Sequence, residues 1–311
     1  MFKSLRIGQK LIIALVAALV VVFLIAALII RPIGKKFADQ TASSFASTVN
    51  SQAIQIVKGF FEELEITGDR VLGGVRLGYL DRFHVDESNR RRVGERDVPS
   101  LYNGSSLVNQ NYTYLDQFLK ETNSIATMFV RDGDDFVRIS TSLKKEDGTR
   151  AVGTVLDRNH PAYEKVRSGV IFRGFAKLYG RDYYVAYSPI KENDKVIGIL
   201  SSTVDITTSL VNLKARLKSI KIGESGYVFA LSNKPGASDF GQFVAHPTLE
   251  GKSGLDLKDE NGKLFIKEMF DRKSGEIHYL WKRAGTSETA QAVVGFASFD
   301  EMGWLVGRFA S

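Results

Sequence analysis

The sequence predicts an α+β fold: a transmembrane helix near the amino terminus, then a long stalk helix, then two tandem modules built on antiparallel sheets. Three observations carry this expectation. Residues 11–30, LIIALVAALVVVFLIAALII, are apolar throughout and carry no charge. From about residue 34 apolar side chains recur at steps of three and four. From residue 125 onward short β-type runs alternate with turn residues, and the order of helix, hairpins and a closing Gly-containing strand occurs twice.

At a rise of ~1.5 Å per residue the first run spans ~30 Å, the thickness of a bilayer's hydrocarbon core, so it can cross with every backbone group bonded internally. It exceeds the ~7–15 apolar residues of a cleavable signal peptide and therefore reads as an uncleaved anchor. Residues 1–10 form a short basic terminus with Lys3, Arg6 and Lys10, balanced by Arg31, Lys35 and Lys36 after the span. Local charge thus leaves the orientation open.

Residues 31–75 read as one amphipathic helix. Phe45, Val49, Ala53, Ile56, Phe60 and Leu64 form its stripe over about 34–67, a length of ~50 Å that exceeds the width of a small domain. Part of that stripe is expected to pack on the protein's own sheet and part to pair with a second chain, giving a homodimer. Gly68, Gly73 and Gly74 loosen the pattern, and the polar residues 81–111 read as loop and short helix.

The first module is expected over 76–206. IATMFVR and DFVRIST flank Asp132-Gly133-Asp134, VIFRGFAKLY and YYVAYSPI flank Gly180-Arg181-Asp182, and a further hairpin turns at Glu192 to Asp194 before KVIGILSSTVDI. Strands that neighbour in sequence and are joined by such turns pair antiparallel, with the helical segment around HPAYEKVRSG on one face. The second module, 207–311, opens with the helix ITTSLVNLKARLKSI. It continues through YVFALS, QFVAHP, a helix in KLFIKEMFDR, and the strands EIHYLW, QAVVGFASF and GWLVGRFA.

Composition bounds the function. With 44% hydrophobic and 25% charged residues the chain is an ordinary globular one. The absence of cysteine excludes a thiol nucleophile, a Cys-ligated metal and a disulfide-stapled scaffold. The net charge of +7 and a pI near 9.3 come from Lys and Arg scattered among Asp and Glu, which describes a solvated surface and no nucleic-acid interface.

Catalytic and cofactor signatures are absent. His84, His160, His246 and His278 show no metal-ligand spacing. The Gly251-Lys252-Ser253 triplet has His246 where a phosphate loop needs its first glycine, and Asp132, Asp134 and Asp135 lack the downstream Glu of a calcium loop. No Gly-x-Ser-x-Gly elbow occurs. No enzyme activity, cofactor or metal is expected.

Basic and aromatic side chains of the first module remain. Alternation places Arg173, Phe175 and Lys177 on one strand face, and Arg138 stands mid-strand between Val137 and Ile139. A cation among apolar neighbours needs an acidic partner, a surface position or an anionic ligand. Tyr163, Tyr183, Tyr184 and Tyr187 lie in the same module, and aromatic walls with a few fixed charges make small-molecule pockets. In the second module Tyr227, His246, Tyr279 and Trp281 could line a smaller pocket, where core packing is the favoured reading.

The stretches TMFVRDGDDFVRISTSLKKEDGTRAVGT, LDRNHPAYEKVRSG, AKLYGRDYYVAYSPI, VIGILSSTVDI, GYVFAL, FVAHPTLEGK and GWLVG resemble the double Cache extracytoplasmic domains of bacterial methyl-accepting chemotaxis proteins. The resemblance is to the subclass fusing Cache type 3 with Cache type 2, and it covers about residues 31–311. It implies two PAS-like modules, a cytoplasmic amino terminus at the bacterial inner membrane with the soluble part outside, a dimerising helix, and a non-enzymatic ligand pocket in the membrane-distal module. In amino-acid-sensing members a pocket motif of Arg, Trp and Tyr precedes the third strand and an Asp ends the last one. Arg158, His160, Tyr163 and Asp205 occupy the corresponding stretch here, and the Trp has no counterpart. With Arg138, Arg173, Lys177 and Tyr187 nearby, an organic acid is expected over an amino acid, since Arg offers paired donors to a carboxylate.

A chemoreceptor's second span would begin about where the sequence stops, so the expectation from the resemblance is a fragment or truncated product. Sensor regions of a histidine kinase or a cyclic-dinucleotide enzyme, and a stand-alone anchored binding protein, remain as alternatives.

Overall fold

The computed structural model describes residues 51–223, 225–282 and 289–310. The apolar run 11–30 and the first part of the stalk helix lie outside them. Among the described residues no helix is long and apolar enough to cross a membrane. The chain separates into two compact units, one of Ile56–Arg216 and one formed by the residues from Leu217 onward with residues 51–55.

Helix α1 is described from residue 51 and runs to residue 76, past the glycines expected to loosen it. Gly68 and Gly74 mark close packing instead, while a Cβ on Gly73 would meet nothing within 4 Å. A Cβ on Gly68 would stand 2.8 Å from the Tyr184 ring, and one on Gly74 would stand 3.0 Å from Phe118. The helix lies closer to its neighbours than alanine would permit, which offsets the helical cost of glycine, about 1 kcal/mol each. Leu64, Leu72 and Val75 are buried along the inward stripe.

The segment expected to be loop and short helix is a three-stranded antiparallel sheet, β1 (Phe83–Val93), β2 (Arg96–Asn103) and β3 (Ser106–Leu107). Its polarity misled because β1 is mostly exposed, while Val93 at its end and Val98 and Leu101 of β2 are buried.

After α2 (Thr113–Thr122) come β4 (Ser124–Asp132), β5 (Asp135–Thr141), α3 (Ala162–Arg167), β6 (Phe172–Leu178), β7 (Arg181–Glu192) and β8 (Lys195–Asp205). The five strands form an antiparallel sheet in the order β5-β4-β8-β7-β6. Two hairpins turn where the sequence indicates, at Gly133-Asp134 and Asn193-Asp194, and the third turns one residue earlier than expected, at Tyr179-Gly180, with Arg181 and Asp182 already in β7. Tyr179-Gly180 and Asn193-Asp194 both take positive φ at both central positions, 50° and 77°, then 46° and 64°. That is the backbone of the mirror-image two-residue turn, whose twist matches that of the strands. One sheet face packs on α1, α2 and β2 around Met128, Ile139 and Leu200, and the other packs under α3 around Phe129, Phe136 and Tyr187.

The second unit has α4 (Thr207–Ser219), which begins in the first, then β9 (Lys221–Ile222), β10 (Gly226–Ser232), β11 (Phe243–Ala245), α5 (Phe265–Arg272), β12 (Ser274–Lys282), β13 (Thr289–Phe299) and β14 (Trp304–Ala310). Its strand order is β11-β10-β14-β13-β12, with β9 beside β10. Counted from β4 in the first sheet and, leaving β9 aside, from β10 in the second, both modules run second, first, fifth, fourth, third. The repetition of elements visible in the sequence is therefore a repetition of topology. Phe265, Ile266 and Met269 of α5 close the inward face of this second sheet.

Candidate functional site

The α3 face of the first sheet is assembled by cross-strand register. Phe129 stands opposite Arg138 on one side and Ile199 on the other. Tyr187 stands opposite Ser201 and Phe172. Directly paired residues of an antiparallel sheet point to the same side. Arg138, Phe129, Ser201, Tyr187 and Phe172 therefore share one face, beneath α3.

Arg138 is half-buried there, with its guanidinium carbon 5.0 Å from the centre of the Phe129 ring. Its Nη1 donates to the Ala151 carbonyl and to the Thr154 hydroxyl, from the loop that runs along β5. Its Nε is buried without a partner. Among the described residues no carboxylate pairs with it. Burial pulls its pKa below the ordinary guanidinium value, opposed by Tyr187 and then Tyr179. The Tyr187 hydroxyl is in turn pushed up by burial, with Arg138 opposing. Ser201 Oγ is a second buried polar atom without a partner on this face.

His160 completes the cluster. Its Nδ1 accepts the Ala162 N–H at 3.1 Å, so the proton sits on Nε2, and its ring meets Phe172 at 5.4 Å and Tyr187 at 6.2 Å. Burial holds its pKa below the ordinary value, with Asp157 opposing, which keeps the ring neutral at pH 7. Tyr163, on α3, donates its hydroxyl to the Asp134 carbonyl and stacks edge-on against Phe136.

The other expected residues lie elsewhere. Arg158 is exposed and paired with Asp135 at 2.7 Å. Asp205 is on the same face as Tyr183, its cross-strand neighbour, but its carboxylate is held by Arg181 at 2.6 Å and accepts the Thr207 N–H that opens α4. Arg173, Phe175 and Lys177 do share one face, and it is the opposite one. Arg173 bonds Asp69 of α1 at 2.6 Å, and Lys177 is exposed at the sheet edge. The structure thus gathers Arg138, His160 and Tyr187, sets Tyr163 beside them, and leaves Arg158, Arg173, Lys177 and Asp205 out. Phe129, Phe172 and Ser201 belong to the cluster and were not foreseen. The alternation in ILSSTVD gives Ser201 and Asp205 one face and is the signal that could have found Ser201.

In the second module Tyr227, His246, Tyr279 and Trp281 line a common cavity of only about 30 Å³ with Phe229 and Phe265. Among the described residues no group of His, Asp or Glu side chains is arranged to hold a metal ion.

The sensory domain of the Campylobacter jejuni chemoreceptor Tlp3 (CcmL) is similar in fold, with a TM-score of 0.52 at 10% identity, over 89% of this chain and 97% of that one. A methyl-accepting chemotaxis protein from Vibrio parahaemolyticus is 26% identical over 33% of this chain and 70% of its own, with a TM-score of 0.29. The ligand-binding domain of the Pseudomonas aeruginosa amino-acid chemoreceptor PctC, in complex with GABA, is 13% identical over 86% of this chain and 99% of its own, with a TM-score of 0.47. No curated protein matches the chain. Residues 32–310 match the family described as the Cache 3/Cache 2 fusion domain, and the chain belongs to that family.

Proposed function

We propose that this chain is the extracytoplasmic sensor region of a bacterial chemoreceptor, anchored by residues 11–30, and that its first module, 76–206, is membrane-distal and binds a small organic acid. The observation that carries this reading is Arg138: a half-buried guanidinium with an unpartnered Nε, no carboxylate beside it, and a second orphaned polar atom, Ser201 Oγ, on the same face. An anion supplies what is missing to both. Neutral His160 and the Tyr187 hydroxyl add donors, and Phe129 and Phe172 receive the carbon skeleton. The exposed stripe of α1, where Ile66 is 59% exposed, is the face through which two copies pair. Signalling then requires the ligand to favour one of two arrangements of that dimer.

A thermal-shift screen of the full chain against organic acids, amino acids and amines tests the reading, because a ligand of the folded state raises Tm by mass action. An organic acid is expected to raise Tm in the wild type and to have no effect on an Arg138→Met variant. A folded protein that responds only to amines, or to nothing, contradicts it.

A further inference from the structure

The turn that joins β4 to β5 carries a pairing that hairpins ordinarily avoid. Asp132 and Asp135 stand directly opposite each other at the end of the ladder, and like charges in that position repel. Each is neutralised from outside the hairpin. Arg90 of β1 donates to both oxygens of Asp132, at 2.9 and 3.1 Å. Asp135 is shared: Arg96 of β2 approaches one oxygen at 3.6 Å, while Arg158 places Nε and Nη2 on the other at 3.0 and 2.7 Å. Two acids that cost stability within the hairpin thus hold arginines from three separate segments.

Arg158 belongs to the stretch that leads into α3. Inside that stretch Asp157 accepts the N–H groups of Asn159 and His160, and His160 accepts those of Ala162 and Tyr163. These bonds shape the turn without fastening it to the sheet. Among the described residues only two side chains of 157–163 hydrogen-bond to the sheet, Arg158 to Asp135 and Tyr163 to the Asp134 carbonyl. Both end on the β4–β5 turn, and His160 lies between them in the chain.

We propose that Asp135 and Arg158 are positioning residues of the first-module site: their ion pair latches residues 157–163 to the β4–β5 turn and holds the His160 ring against Phe172 and Tyr187. Arg158 thereby serves the site without touching a ligand. The inference rests on the reading of Arg138 and His160 as that site. Because Asp135 also holds Arg96, and Asp132 holds Arg90, the three-stranded sheet is fastened to the same turn, and salt weakens both attachments together.

Hydrogen exchange on the full chain without ligand tests the latch, because the amides of a segment exchange through its own local openings. Arg158→Gln removes an exposed guanidinium and nothing from the core. Loss of an exposed pair of this kind predicts exchange over 157–163 faster by roughly two- to fivefold, with β8 unchanged. Asp135→Asn is expected to do the same, and the two together no more than the larger single effect, since they remove one interaction. In the wild type, raising NaCl from about 0.1 to about 1 M is expected to accelerate the same segment, and in Arg158→Gln to have little effect. Positioning is read separately from the imidazole titration of His160, followed by NMR and assigned among the 4 histidines by its loss in His160→Asn. Burial holds that ring below its ordinary pKa, so in both variants its pKa is expected to rise toward 6.5. Wild-type exchange in either single variant, additive effects in the double, or an unmoved His160 titration overturns the proposal. No ligand enters these measurements, so a failed organic-acid screen leaves the latch standing, and a failed latch leaves Arg138 to be judged by that screen.

Discussion

Arg138→Met separates a ligand-binding arginine from a structural one, because the two roles predict opposite signs for stability. The side chain makes two hydrogen bonds, to the Ala151 carbonyl and the Thr154 hydroxyl. Thr154 itself donates to the Ala151 carbonyl at 3.0 Å, so removing the guanidinium leaves neither partner orphaned. What disappears is a half-buried charge with an unsatisfied Nε. An unmade buried hydrogen bond costs about 1–3 kcal/mol, the two made ones contribute about 1 kcal/mol each, and the contact with Phe129 adds roughly 1 kcal/mol. Methionine keeps the unbranched apolar stem against that ring and requires no desolvation of charge. These contributions nearly cancel, and the relief of desolvation tips the balance. The folded state is expected to be unchanged or more stable by about 1–2 kcal/mol, a rise in Tm of roughly 2–8 °C for a unit of this size. The ligand response is expected to vanish in the same variant. Urea denaturation and thermal melting of the full chain, with and without the organic acid found by screening, measure both. A loss of more than about 2 kcal/mol would show that Arg138 holds the loop 151–156 to β5, and the reasoning would fail.

Arg173→Ala is the control on the opposite face: its exposed pair with Asp69 predicts a loss of under about 1 kcal/mol and an unchanged ligand affinity, measured by the same titrations. His246 makes the second module sensitive to acid. Its pKa falls from 6.5 to about 4 in the folded state because of burial, so between these values the unfolded chain holds the proton and the folded chain does not. Its contribution is present in full above about pH 6.5 and is lost as pH falls toward 4, amounting to about 2–4 kcal/mol. In His246→Asn, whose side-chain oxygen can still accept the Thr248 and Leu249 N–H groups, the loss of stability between pH 6.5 and 4.5 is expected to be shallower than in the wild type. Equal slopes in urea titrations across that range would remove His246 as the cause.

Local signals in the sequence located most strands, because the hairpins of the first five-stranded sheet are encoded by residues that accept positive φ within a few positions of one another. The sheet over residues 83–107 escaped notice for a physical reason: β1 is mostly exposed, carries Arg90, Arg91 and Arg92 in succession and hides its alternation. The glycines of α1 escaped for another. Their function is to let a helix approach Tyr184 and Phe118, residues more than a hundred and more than forty positions away, and no local pattern contains that distance. The same limit governs the site. Period-2 alternation correctly put Arg173 and Lys177 together, but it yields two unlabelled faces, and only the packing of α3 and α1 says which is which. Arg138 was legible because a cation inside an apolar strand is costly wherever the strand lies. The pairing of Asp205 with Arg181 was not legible, since both types occur on any solvated surface.

Within the proposed reading, that pairing weighs against an amino-acid ligand more than the missing tryptophan does. To accept a ligand's ammonium group, Asp205 must release Arg181 or give up the Thr207 N–H that opens α4. The exposed ion pair is worth about 0.2–1 kcal/mol and the helix-opening bond about 0.5–2 kcal/mol. On the proposed reading an amino acid is therefore expected to bind at a disadvantage of about 0.2–2 kcal/mol, at most roughly thirty-fold, relative to an organic acid that engages Arg138 alone. The two modules share one strand order, and what each can hold differs through a few inward side chains.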